Sequence, residues 1–131
     1  MKNISSEAEK IMVERFGKDT VIALATVEDG VPRRVDDFNG LQCTKYEFVS
    51  NKGQKLTGYL YTTEEKPYGI VVMSHGFGGG GHNSYMDCAN YFAHHGYSVF
   101  AYDATGNDES EGEGVGGLPQ GVIDLDYAIT F

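Results

Sequence analysis

The chain has 131 residues, enough for one ordinary domain and too few for a multi-domain enzyme. Hydrophobic residues make up 40% and charged residues 22%, a globular composition that excludes collagen-like, low-complexity and generally disordered chains. The formal net charge is −9, and Arg33-Arg34 is the only adjacent basic pair, so the basic stripe that holds a nucleic acid is missing.

Cys43 and Cys88 stand apart, without CxxC spacing or a histidine cluster. They read as reduced thiols of a cytoplasmic protein, with no disulfide or metal role. The opening MKNISSEAEKIMVERFG has no apolar h-region, and no segment approaches the roughly 18 apolar residues of a membrane span, so a soluble, unexported chain with no membrane contact is expected.

Ser6 and Glu9 form a capping-box pair, and Ile4, Ala8, Ile11, Met12 and Phe16 follow at helical spacing before Gly17, which predicts a helix over about 5–16. Thr20 to Val27 and Val31 to Val35, joined by Glu28-Asp29-Gly30, read as a β-hairpin. Periodicity lapses from Asp36 to Gly40. That lapse divides the chain into a helix-plus-hairpin segment, 1–39, and a second unit, 40–131.

In the second unit Tyr46 and Phe48 lie on a strand, Asn51-Lys52-Gly53 turns, and Leu56 to Tyr61 returns antiparallel. Gly69 to Ser74 is continuously apolar, the pattern of a strand buried on both faces. Asn83 or Ser84 can cap a helix carrying Met86, Ala89, Phe92 and Ala93 that stops at Gly96. Ser98 to Tyr102 is the next buried strand, closed by Asp103. Leu118 to Phe131 places Val122, Leu125, Ala128 and Ile129 on one helical face. The order strand, helix, strand, helix from residue 69 predicts an α/β fold: parallel strands with right-handed crossovers, preceded by an antiparallel hairpin.

The eighteen glycines cluster at Gly76–Gly81 and Gly106–Gly121. The first cluster, Ser74-His75-Gly76-Phe77-Gly78-Gly79-Gly80-Gly81, has two chemical readings. Gly76, Gly78 and Gly81 satisfy G-x-G-x-x-G between a strand and a helix, with Asp103 at the end of the next strand, the pattern of a dinucleotide site. Against it, the third glycine should sit in the first helical turn, and four successive glycines are poor helix formers. The other reading is a loop that aims a backbone N–H at a carbonyl oxygen as it becomes negative, where glycine removes the Cβ that would block the approach.

Four further sets of side chains read as structural. His94 and His95 precede Gly96 and read as partners of a helix C-terminus rather than metal ligands. His82 reads as a loop side chain. Asp108, Glu109, Glu111 and Glu113 lack the D-x-D-x-D-G order of a calcium loop and read as a solvated acidic loop. Asp124 and Asp126 are two apart on a helix and face different ways, which argues against a carboxylate dyad.

Order and motifs together, from about Thr44 to Phe131, resemble the N-terminal half of the α/β-hydrolase superfamily. The shared features are the antiparallel hairpin, the strand ending in HGFGGG, a helix, the strand ending in Tyr102-Asp103, and a loop with Gly106, Ser110 and Gly112 like the family's D-x-x-G-x-x-x-S-x-G turn. The resemblance implies hydrolysis of ester or amide bonds in the manner of serine esterases, lipases and peptidases. It makes Phe77 the donor of the first oxyanion-hole N–H, with His75, Gly76, Gly78 and Gly79 shaping that loop. His75 would brace it by hydrogen bonding, and Asp103 and Gly106 would fix the turn after their strand. No cofactor or metal is implied, and the partner would be a small ester or amide.

The same family needs a G-x-S-x-G nucleophile turn, then an acid, then a histidine, and no serine after His75 stands in such a turn. The chain is therefore expected to be inactive alone, a truncated or chimeric product. Residues about 9–35, with the run EKIMVERFGKDTVIALATVEDGVPR, resemble the start of the pyridoxamine-phosphate-oxidase-like flavin-binding split barrels. That resemblance makes Arg33 or Arg34 the counterpart of an FMN-phosphate ligand. It leaves an FMN- or dinucleotide-binding protein as one alternative function and an interaction fragment completed by a partner chain as another. An apolar strand without its neighbour would also expose an edge and promote self-association.

Overall fold

The computed structural model describes Glu14 and residues 34–63, 66–76 and 80–131. The N-terminal helix, apart from a helical Glu14, and the hairpin up to Arg33 lie outside the described residues. Val35, expected as the end of that hairpin, instead opens a 3₁₀ turn, Val35–Asp37, in which the Asp37 carboxylate accepts the Arg34 N–H at 2.7 Å.

The elements that follow are β1 (Gln42–Val49), β2 (Lys55–Thr62), β3 (Ile70–Ser74), α1 (Met86–His94), β4 (Ser98–Tyr102) and α2 (Gly117–Thr130). The strands form one mixed sheet in the order β1-β2-β4-β3. The β1–β2 and β2–β4 pairs are antiparallel, and β3–β4 is parallel, with Ser74 level with Tyr102.

The two-residue period of β4 sorts the core into two halves. Val99 and Ala101 point to the α1 side, where Leu41, Tyr61, Met86, Ala89 and Ala93 meet them. Phe100 and Tyr102 point to the α2 side, against Phe48, Leu56 and Ala128. With a layer on each face, every residue of β4 is buried. Leu56 is fully buried, and a leucine so placed contributes about 1.5–3 kcal/mol.

Glycine at position 58 lets the α2-side core close over β2. The Phe100 ring lies across it, and a Cβ there would stand 2.3 Å from the ring Cζ. Phe48 and Phe131 hold that ring in place, with centroids 5.9 Å away in each case. Gly58→Ala is therefore expected to lower stability by about 1–3 kcal/mol through overpacking, read as a shift in urea midpoint at unchanged slope.

Three expectations are corrected. First, β3 is not buried on both faces: its residues are half-buried or exposed, with Ile70 62% exposed. Second, α1 is capped by neither Asn83 nor Ser84. Tyr85 holds the N-cap position without a side-chain bond, and the Ser84 hydroxyl instead accepts the Gly81 N–H at 3.0 Å, drawn into the preceding turn.

Third, α2 does not bury Val122 and Ile129. Its buried stripe is Gln120, Asp124 and Ala128, with Leu125 packed beside it, while Val122 is 68% and Leu118 72% exposed. The Asp124 carboxylate sets this rotation by binding groups on two other segments, at Ser50 and Thr105, and one on its own helix, Gln120. Its Oδ1 accepts from Ser50 Oγ at 2.7 Å, Thr105 Oγ1 at 3.0 Å and Gln120 Nε2 at 2.9 Å, and its Oδ2 accepts the Thr105 N–H at 2.8 Å.

Candidate functional site

In an open α/β sheet, ligands bind beyond the carboxyl ends of the parallel strands, and here those ends are Ser74 and Tyr102. The Tyr102 hydroxyl donates to Ser74 Oγ at 3.1 Å, and the two chains leave the sheet side by side as Ser74-His75-Gly76 and Asp103-Ala104-Thr105. His75 ties them together. Its Nδ1 faces the Gly76 carbonyl at 2.9 Å, and its Nε2 accepts the Ala104 N–H at 3.0 Å. Both ring nitrogens are thereby engaged with main chain, which leaves no free lone pair for removing a proton.

Asp103 is completely buried and fixes a second junction. Its Oδ1 accepts both the main-chain N–H of His82 and the His82 ring Nδ1, the latter at 2.8 Å, and its Oδ2 accepts the Glu109 N–H at 3.3 Å. One carboxylate thus joins the loop entering α1 to the loop leaving β4. Ser110 completes the junction: its hydroxyl donates to the Asp103 carbonyl and accepts the Thr57 N–H at 2.9 Å.

Gly106 turns the chain at φ +72°, and a Cβ there would stand 2.5 Å from the Gly114 carbonyl, so the two passes of the glycine-rich loop touch only because it has none.

A cleft of about 220 Å³ opens between the end of β3 and the start of α2, lined by Ser74, His75, Gly76, Thr105, Leu118 and Val122 among others. Phe77, Gly78 and Gly79 lie outside the described residues. The glycine run and α1 are separated, since the helix begins only at Met86, and this is not the close strand–turn–helix of a dinucleotide site.

Sequence reasoning treated His82 as an ordinary loop side chain. The structure pairs it with Asp103 and stacks its ring on Tyr59 at a centroid distance of 3.9 Å. A lone histidine just past a glycine run, with one aspartate closing the next strand, was the available signal. Asp108 Oδ2 lies 3.8 Å from the same ring nitrogen, so His82, Asp103 and Asp108 are the one trio among the described residues whose ligand-type atoms cluster closely enough for a metal ion. Their geometry is that of a loop clamp: Asp103 already receives donors on both oxygens.

The acidic loop is exposed at Asp108, Glu109, Glu111 and Glu113, but it is also laced to the sheet. Glu109 binds Lys45 and the Tyr59 hydroxyl, Glu111 accepts the Lys55 N–H at 2.9 Å, and the Lys45 ammonium holds the Glu109 carboxyl below its usual range. His95 meets the helix end as expected, its Nδ1 2.6 Å from the Tyr91 carbonyl. His94 reaches further, between the carbonyls of Asn90 and Asn39. Asp124 is buried and Asp126 exposed, so they form no dyad.

The described residues contain no activated nucleophile. Cys43 and Cys88 are unpaired thiols, and burial pushes both up, away from thiolate. No hydroxyl of the described residues is hydrogen-bonded to either His75 or His82. No helix among the described residues is long and apolar enough to cross a membrane.

No protein-family model matches the chain, and no curated protein matches it by sequence. Solved structures do. An α/β hydrolase, GrgF from Penicillium sp. sh18, is 25% identical over 68% of this chain and 31% of its own, with a TM-score of 0.59. The Pyrococcus furiosus esterase Pf2001 is 18% identical over 80% of this chain and 38% of its own, at 0.60. Brefeldin A esterase, a bacterial homologue of human hormone-sensitive lipase, is 15% identical over 97% of this chain and 36% of its own, at 0.58.

Nothing in these comparisons supports the split-barrel resemblance, whose residues, apart from Glu14, Arg34 and Val35, lie outside those described. The chain spans about a third of the length of the structures it matches. What it shares with them is the fold, a partial α/β-hydrolase sheet: among the described residues, a mixed four-stranded sheet with a helix on each face.

Proposed function

We propose that this chain supplies the oxyanion side of a serine-hydrolase site for ester or amide bonds, and that it hydrolyses nothing until a strand bearing a G-x-S-x-G turn joins the sheet. The observation that carries this reading is the His75 bridge, which sets Gly76 at the carboxyl edge of β3 beside Ala104. In acyl transfer a serine oxygen adds to the carbonyl carbon, and the carbonyl oxygen takes the negative charge. The Phe77 N–H is the donor assigned to that oxygen, with His75 as brace rather than base.

The 131-residue chain, incubated with p-nitrophenyl acetate and with a fluorophosphonate probe, is expected to give no burst and no covalent label. Stoichiometric labelling would place an activated serine within these residues and overturn the proposal. The oxyanion assignment is checked separately by grafting residues 42–131 in place of the matching part of the Pyrococcus furiosus esterase. In a graft that labels with the probe, Phe77→Pro removes the donor and is expected to lower kcat about 10²–10³-fold with little change in KM. Full activity of that variant would remove Phe77 from the site.

A further inference from the structure

Among the described residues the two outer strands of the sheet are built differently. β1 carries exposed Lys45 and Glu47, charges of the kind that discourage an edge from pairing with another chain. β3 reads Ile70-Val71-Val72-Met73-Ser74, with no charge, no proline and no bulge, in a chain whose net charge is −9. Beside its carboxyl end, across the shared cleft, α2 exposes Leu118 and Val122. Among the described residues β3 is the outer strand without a charge, so a second copy can pair along it without bringing a charged side chain against the joint.

We infer that two copies of this chain pair through β3, antiparallel, about a two-fold axis at Val72. Such an axis sets Val72 opposite the partner's Val72, Val71 opposite the partner's Met73, and Ile70 opposite the partner's Ser74. The pairing preserves the alternation of faces. Val71 and Met73 pack on the α1 side in each copy and Val72 on the α2 side, so both cores continue across the joint. The contact is isologous and closes at two copies, which separates it from open-ended edge aggregation. It concerns this chain by itself; a nucleophile strand that joined the sheet beside β3 would take the same edge and displace the second copy.

Light scattering of the 131-residue chain is expected to give twice its 14.3 kDa mass, dissociating on dilution. With Cys43→Ser and Cys88→Ser as background, Val72→Cys forms an intermolecular disulfide under mild oxidation, because directly opposed residues bring their Cβ atoms to about 4.5–5.5 Å. Ile70→Cys, displaced from the axis, does not.

For the unsubstituted chain, amides of β3 exchange about ten-fold more slowly in concentrated than in dilute solution while those of β1 are unchanged. A monomeric mass throughout, assemblies larger than two, equal crosslinking at 70 and 72, or concentration-independent exchange in β3 would each overturn the inference.

Discussion

Replacing Asp124 with alanine is expected to lower the unfolding free energy by roughly 3–5 kcal/mol. The carboxylate is fully buried and is the common acceptor of Ser50, Thr105 and Gln120, so its removal strands donors on two other segments and on its own helix at once. Burial pushes this carboxyl up, but the bonds from Thr105, Ser50 and Gln120 outweigh it and hold the group below its ordinary 3.8. A depressed acid contributes stability that is complete above its unfolded-state value and is lost as pH falls through the folded one. Urea titrations should therefore show an extra loss of stability below about pH 4, and Asp124→Asn should be weaker at neutral pH while losing part of that acid slope. An alanine variant within about 0.5 kcal/mol of the parent would refute the anchoring role.

The second large effect is expected at Asp103. Its alanine variant frees the His82 N–H, the His82 ring and the Glu109 N–H, and should cost about 2–4 kcal/mol. Because those donors belong to the loop entering α1 and the loop leaving β4, the damage should be local first. Amides around Gly81–Ser84 and Asp108–Ser110 should lose protection from exchange before β4 does. Asp103→Asn keeps one carbonyl oxygen and should fall between the two. Unchanged protection in those loops with Asp103→Ala would show that the clamp is redundant.

Strand and helix identities could be read from this sequence because their signals are short-range. Alternating Tyr46 and Phe48, the Asn51-Lys52-Gly53 turn and the apolar runs at 70–74 and 98–102 all became the elements they suggested. The rotation of α2 could not, because periodicity ranks residues by apolarity, and the helix is seated by Asp124 through partners as distant in sequence as Ser50. The half-exposure of β3 was hidden for a related reason: an apolar strand reads the same whether or not a neighbour covers it. At the site, the resemblance located His75 and Asp103, but not the partner of either. The His82–Asp103 pair depends on two loops meeting, which nothing local in either loop announces.

The bridge from His75 to Ala104 has an evolutionary consequence. The histidine binds the N–H of residue 104 and nothing of its side chain, so every amino acid except proline can occupy that position and keep the bond. Substitution at 104 demands no compensating change at 75. The two positions are mechanically coupled yet should drift independently among related sequences, and a contact inferred from correlated substitutions would pass over the joint that holds the glycine loop to the sheet.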